Sequence, residues 1–296
     1  MEPTKINLDE WYPTGRGGYA DSYFHNTDDS LLLKLNFIEY TKERAYSEFE
    51  RSKAVFDAGL PCPEPLKFVT DGERYGLISR RIVGKRSLTR IISEEPERID
   101  EMARTLAEMA KKLHNTPCNT SLFHNAKDRY RKAFNTCGKF PEDVLADLNG
   151  YIDEMADVST CLHFDLHPGN VITARGRNYW IDLGGFAYGD PDIDFGILVA
   201  FCEWTPKKVL DDLLHITRKQ CRTFTRLYGE YYYGEQFKDP ALQRKLYHAG
   251  LLTYALTIKD SKSNISPLMV IFRGKRLLTK LLMTLLDLAV KEKQHD

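Results

Sequence analysis

The sequence predicts an α+β protein in two unequal lobes: a small antiparallel sheet carrying one helix, followed by a larger, mainly helical lobe. Three observations predict it: strand-length apolar runs with a hairpin signal over the first eighty residues, helical periodicity from Glu97 onward, and an interruption rich in glycine and proline at residues 160–190. The lobes are assigned to 1–83 and 84–296, since a chain of 296 residues is longer than one core usually needs.

In the first lobe, Ser30-Leu31-Leu32-Leu33-Lys34-Leu35-Asn36-Phe37 has strand length and follows the turn-prone Asn26-Thr27-Asp28-Asp29. Residues 66–70 and 74–79 flank Asp71-Gly72-Glu73, a hairpin signal. Between these strands, Tyr46, Phe49, Val55 and Phe56 recur at near-helical spacing over 40–58, and Gly59 followed by Pro61 stops the helix. In the second lobe, Ile99, Met102, Leu106, Met109, Ala110 and Leu113 mark one face of a long helix ending near His114, with Ser93-Glu94-Glu95-Pro96 upstream as its capping signal. A polar stretch precedes a helix from Val144 to Met155, and residues 160–190 contain the short strand Tyr179-Trp180-Ile181. The remainder reads as mainly helical, ending in an amphipathic Arg276 to Val290 whose leucine face is read as core packing.

Composition narrows the function. At 42% hydrophobic and 28% charged residues, the chain is an ordinary globular protein. Its six cysteines form no C-x-x-C pair, which argues for reduced thiols in a cytoplasm over a disulfide framework or zinc site. The N-terminus lacks a signal-peptide pattern and charges interrupt every apolar stretch, so neither secretion nor membrane insertion is expected. Net charge is zero, but residues 201–296 hold 17 Lys or Arg against 10 Asp or Glu. That basic excess is not interleaved with aromatics in a nucleic-acid-binding motif, so no nucleic-acid partner is expected.

The chemistry-bearing segment is His163-Phe164-Asp165-Leu166-His167-Pro168-Gly169-Asn170. Asp165 stands five residues before Asn170 in the H-x-D-x-x-x-x-N spacing of a kinase catalytic loop, and Asp182 follows twelve residues later in Asp182-Leu183-Gly184, a D-x-G turn. Phosphoryl transfer asks a protein for a carboxylate that accepts the hydroxyl proton, a neighbouring oxygen ligand for Mg²⁺, and a second carboxylate joining metal to phosphates. These residues supply that set in order. Lys34 interrupts an otherwise apolar strand, which implies a partner for its charge.

These motifs, with Gly189-Asp190-Pro191-Asp192-Ile193-Asp194, resemble the aminoglycoside phosphotransferase family, relatives of choline kinases with a protein-kinase-like fold. The resemblance runs from about Gly15 to about Leu198. It implies an ATP- and Mg²⁺-dependent kinase that moves a γ-phosphate to a hydroxyl of a small molecule. Asp165 would be the catalytic base, Asn170 and Asp182 the metal ligands, Asp194 the aspartate bracing the catalytic loop, and His163 a structural member of that loop. His167 is left as a loop-packing residue or one that approaches substrate phosphate. Gly15, Gly17 and Gly18 resemble a glycine-rich phosphate loop, although Asp21 stands near the expected last glycine. Lys34 matches the lysine on the α- and β-phosphates; counting back from Gly59-Leu60-Pro61 favours Glu48 as its partner, with Glu43 in reserve. The hinge would be residues 79–84, with backbone groups of Arg80 and Ile82 on the adenine.

The family's acceptors vary, and fold does not select among them. The basic last third is unfavourable to polycationic aminoglycosides, although Glu203, Asp211, Asp212, Glu230 and Glu235 are available to line a pocket, and Tyr231-Tyr232-Tyr233 is either a partly buried helix surface or a stacking platform. A protein kinase is the second reading, weakened by the short interval between Asp182 and Gly189-Asp190-Pro191; a nucleotide-binding pseudokinase rests on the irregular glycine loop alone. Oligomeric state is not readable from the chain.

Overall fold

The computed structural model describes residues 1–17 and 19–260. Gly18 and the amphipathic stretch Arg276 to Val290 lie outside the described residues.

The first lobe is a six-stranded sheet. Its strands are β1 (Thr4–Lys5), β2 (Trp11–Arg16), β3 (Ala20–His25), β4 (Leu31–Asn36), β5 (Pro65–Thr70) and β6 (Tyr75–Arg80), in the order β1-β5-β6-β4-β3-β2. Every neighbouring pair is antiparallel except β1 with β5. One helix, α1 (Lys42–Asp57), lies between β4 and β5; Thr41 caps it by accepting from the Arg44 N–H, and Gly59 at φ 75° ends it. Strand alternation decides what each face carries. Leu33 and Leu35 pack with Trp11, Val69 and Ile78 on one face, so the intervening Lys34 projects from the other, where Phe68 meets Ala45 and Phe49 of α1.

The second lobe begins with β7 (Arg86–Ser87), α2 (Leu88–Glu94), α3 (Ile99–His114), β8 (His124–Asn125), α4 (Ala126–Cys137) and α5 (Glu142–Glu154). Next come β9 (Cys161–Leu162), β10 (Val171–Ala174), β11 (Arg177–Trp180) and β12 (Ala187–Tyr188). Helices α6 (Asp192–Trp204), α7 (Lys207–Val209), α8 (Arg218–Tyr233) and α9 (Pro240–Asp260) complete it. One core joins α2, α3, α6 and α8 through Ile91, Leu106, Leu198 and Phe224; another joins α4, α5, α6 and α9 through Tyr130, Leu148, Ile197 and Leu252.

Three local expectations are corrected. Ser93 and Glu94 do not cap the long helix: they lie in the last turn of α2, which Ser87 caps by accepting from the Arg90 N–H, while α3 follows a short turn at Pro96–Arg98. The polar stretch before residue 144 contains α4, capped by Asn125. The short strand stops at Trp180, and Ile181 turns its N–H to the Asn170 carbonyl at 3.0 Å.

Helices α6 and α9 cross closely at Gly196. A Cβ there would stand 2.4 Å from the Ala249 carbonyl carbon, so the backbones themselves would have to separate. Gly196→Ala is therefore expected to destabilise the fold by about 3 kcal/mol, read as a shift in urea midpoint.

Candidate active site

The centre of the site is a convergence of three elements on one ammonium group. Lys34 Nζ from β4 lies 2.9 Å from Glu48 Oε1 on α1 and 3.6 Å from Asp182 Oδ1, which stands just past β11. Burial works against the charged lysine, yet the two carboxylates outweigh it and hold its pKa above the ordinary value. Glu43 sits exposed in the first turn of α1, so the helix presents Glu48, one turn further along, to Lys34. Asp182 adopts the left-handed conformation, with φ 59° and ψ 56°, which is uncommon for a residue with a Cβ. About half of its side chain is exposed, leaving the carboxylate open to a ligand. Gly184 faces the Glu48 side chain: a Cβ added there would stand 3.8 Å from the glutamate Cγ and Cδ, an ordinary contact.

The catalytic-loop segment runs between β9 and β10. Asn170 donates through Nδ2 to both the Asp165 carbonyl and Asp165 Oδ2, each at 2.9 Å, so its Oδ1 remains available as an oxygen ligand. Among the described residues no three His, Cys, Asp or Glu gather as a metal cage. The donor set of Asn170 and Asp182 instead suits a hard cation whose remaining ligands are phosphate oxygens and water.

Below the loop, Asp194 is fully buried at the start of α6. Its carboxylate accepts the His163 and Phe164 backbone N–H groups, each at 2.8 Å, and His114 Nε2–H at 3.1 Å. The Tyr232 hydroxyl, 2.6 Å from His114 Nδ1, closes the other side of that ring. Phe164, pinned this way, has φ 59°. His163 donates Nε2–H to the Ile181 carbonyl at 3.0 Å, while its Nδ1 is buried with no partner among the described residues.

A family model described as a phosphotransferase enzyme family matches residues 13–229, an interval that holds Lys34, Glu48, His114, His163, Asp165, Asn170, Asp182 and Asp194. The chain belongs to this family. No curated protein matches it in sequence. Among solved structures, a thermostable mutant of the aminoglycoside phosphotransferase APH(4)-Ia in apo form superposes with TM-score 0.64 at 15% identity, covering 91% of this chain and 94% of that one. A choline/ethanolamine kinase family protein from Mesorhizobium loti gives 0.57 at 15% identity, covering 92% and 87%. Amicoumacin kinase hAmiN in complex with AMP-PNP, Ca²⁺ and Ami gives 0.56 at 13% identity, covering 94% and 90%. The protein-kinase-like fold is thereby shared.

Three further stretches of the phosphotransferase bear on its sequence reading. The glycine-rich segment is a β2–β3 hairpin: Gly15 lies within β2, beside a register irregularity, and the Gly17 N–H closes the turn onto the Ala20 carbonyl at 2.8 Å. Asp21 is turned away to an ion pair with Arg74 at 3.2 Å, which accounts for an acidic residue near the expected last glycine. At the hinge, the Arg80 N–H donates to the Glu64 carbonyl at 2.9 Å and the Arg81 N–H to the Ser30 carbonyl at 2.8 Å. Arg80 therefore has only its carbonyl to offer a base; Ile82 lies two residues on, half-buried.

His167 takes the loop-packing role. Its ring stacks on Phe201 with centroids 4.4 Å apart, and Nδ1 accepts the Gly169 N–H at 3.0 Å. Burial lowers its pKa from 6.5. The folded ring then resists a proton that the unfolded chain accepts, so stability falls as pH drops below 6.5. In urea titrations at about pH 7.5 and about pH 5.5, His167→Asn is expected to lose part of that drop.

The tyrosine run is the last turn of α8, and its hydroxyls point inward. Tyr231 donates to Asp100 Oδ1 at 2.6 Å and Tyr233 to Asp192 Oδ1 at 2.8 Å. Lys245 of α9 bridges Asp190 and Asp192 at 2.6 Å each. These bracing partners, with His114, escaped the sequence reading; the three closely spaced aspartates of Asp190 to Asp194 were the signal that cationic or hydroxylic partners were needed. The acidic residues considered for an acceptor pocket are largely engaged, Glu203 with Arg222, Asp211 with Lys207, Glu230 with Arg226 and Glu235 with Lys238.

Proposed function

We propose that this phosphotransferase moves the γ-phosphate of ATP, with Mg²⁺, to a hydroxyl of a small molecule. The observation that carries the reading is the joining of Lys34, Glu48 and Asp182 across β4, α1 and the D-x-G turn, beside a carboxylate, Asp165, that Asn170 orients. In this reading Lys34 binds the phosphates and Glu48 holds its ammonium group in place. Asn170 and Asp182 hold Mg²⁺, which when bound neutralises phosphate charge. Asp165 orients the acceptor hydroxyl and accepts its proton as the new P–O bond forms. The Arg80 carbonyl and the Ile82 backbone face the adenine. The AMP-PNP and Ca²⁺ bound to hAmiN support the nucleotide and the divalent cation. Six unpaired cysteines favour a reducing, cytoplasmic compartment, and no helix among the described residues is long and apolar enough to cross a membrane.

For the acceptor, the pairing of most of the candidate acidic residues with local cations weighs against a polycationic antibiotic, because those carboxylates already have counter-ions. The test is ADP release with Mg²⁺ over a panel of hydroxylated metabolites and aminoglycosides. Metal-dependent turnover of one of them supports the reading; tight ATP binding without turnover across the panel overturns it. Lys34→Ala is expected to raise KM for ATP at least about tenfold, and Glu48→Gln less, because glutamine keeps a hydrogen-bond acceptor for Lys34 but no charge.

A further inference from the structure

His167 has one ring nitrogen that loop packing leaves unused. The rest of the ring is held. It lies against Phe201 of α6, with centroids 4.4 Å apart and planes 6° from parallel. Its Nδ1 accepts the Gly169 N–H at 3.0 Å. Gly169 in turn leaves the ring room: a Cβ there would stand 2.7 Å from His167 Cε1 and 2.9 Å from Nδ1. An Nδ1 that accepts carries no proton, so the neutral ring carries its proton on Nε2. Nε2 lies 4.0 Å from Asp165 Oδ2, beyond direct hydrogen-bonding reach, and has no hydrogen-bond partner among the described residues. Asp165 Oδ2 accepts Asn170 Nδ2 at 2.9 Å, and about half of the Asp165 side chain is exposed. A rigidly held donor and a carboxylate acceptor therefore stand side by side where the proposed reaction brings the acceptor hydroxyl.

A donor and an acceptor 4.0 Å apart suit two oxygens better than one. A single hydroxyl between them would give a lone pair to Nε2–H while the same oxygen attacks phosphorus, which weakens it as a nucleophile. Two oxygens on neighbouring carbons avoid the conflict. In a gauche pair they stand closer together than the two side chains do, so ordinary hydrogen bonds of about 2.8 Å reach outward, from one to Asp165 and from the other to His167. Resting on the phosphotransfer reading, we infer that His167 selects an acceptor whose reacting hydroxyl has a second oxygen on the adjacent carbon, a vicinal diol of the polyol or sugar class. One hydroxyl gives its proton to Asp165 as its oxygen joins the γ-phosphorus and the bond to ADP breaks; the neighbouring oxygen accepts Nε2–H and is unchanged. An acceptor lacking the second oxygen would close the site over a donor with nothing to bond, which is the costly case.

The test is kcat/KM for ADP release by the full chain with Mg²⁺ on matched acceptors: glycerol with trimethylene glycol, D-glycerate with hydracrylate, and each sugar of the panel with its deoxy analogues at the neighbouring carbons. The wild type is expected to prefer the diol member of a pair by about tenfold or more, mainly through KM, and His167→Ala to bring the ratio near one. His167→Gln should recover part of the preference, because its side-chain amide keeps an N–H donor. KM for ATP should be unchanged in both variants, which separates this role from a contact to the nucleotide phosphates; circular dichroism checks folding. A histidine that only packs the loop would, when replaced, slow both members of a pair alike. That result, equal wild-type kcat/KM within each pair, or turnover confined to isolated hydroxyls such as that of choline overturns the assignment. If neither variant folds, the wild-type ratio decides alone. Absence of turnover with every acceptor overturns the phosphotransfer reading itself, an outcome distinct from turnover without preference.

Discussion

Asp165→Asn should leave the fold and nucleotide binding intact and cost turnover about 10³-fold, within the range general-base removal usually costs. The side chain is nearly isosteric, and Asp165 Oδ2 is held by Asn170 Nδ2 at 2.9 Å without being buried, so little packing depends on it. In the proposed reaction, what is lost is the acceptor for the hydroxyl proton. Phosphoryl transfer leaves the protein mostly positioning and electrostatics, so a residual rate from the Lys34 and Asp182 side should persist. The measurement is kcat for ADP release with the best acceptor of the panel, alongside nucleotide affinity and unfolding midpoint. Wild-type kcat in this variant would remove Asp165 from the reaction.

Asp194→Ala should be the most damaging single change to the fold, destabilising by about 3–5 kcal/mol and abolishing turnover with it. Its carboxylate serves two backbone N–H groups and the His114 ring from a fully buried position. Alanine would orphan all of these donors at once. Phe164 would also lose the contact that holds it at positive φ, releasing the residue directly before Asp165. Denaturant unfolding measures the first effect. His114→Gln separates it from the second: with only one donor changed, stability should fall by about 1–2 kcal/mol while the peptide groups stay anchored and turnover survives. An Asp194→Ala protein as stable as the wild type would contradict the burial and bonding described here.

The order of sheet and helices, and the residues proposed for the chemistry, were legible because they rest on short-range order. The interval from Asp165 to Asn170 and the D-x-G turn are contiguous in sequence, and the sheet's alternation is written residue by residue in Leu33-Lys34-Leu35. Helix α4 was not legible because its inner face is Ala126, Lys127, Tyr130, Ala133 and Phe134: small residues and a lysine whose stem is buried do not register as an apolar stripe. Its Lys127 ammonium reaches the Met155 carbonyl at 2.9 Å, a contact across 28 residues that no local pattern announces. The capping pattern near Ser93 misled because the last turn of one helix and the approach to the next look alike when only a few residues separate them. The individual pairing of most candidate pocket carboxylates with their own cations was not legible in the overall basic excess of the last third.

The tie between Asp21 and Arg74 has a kinetic side. Arg74 also holds Asp71 at 2.9 Å, so the hairpin bearing Gly15 and Gly17 is fastened across β4 to the β5–β6 turn. A phosphate loop made of free glycines gives up its disorder each time a nucleotide arrives. Here much of that disorder is already lost on folding, and the hairpin rides with the sheet. Cutting the tie with Asp21→Ala should leave the nucleotide's contacts in place while making both its arrival and its departure faster, a change visible in stopped-flow traces before it is visible in affinity.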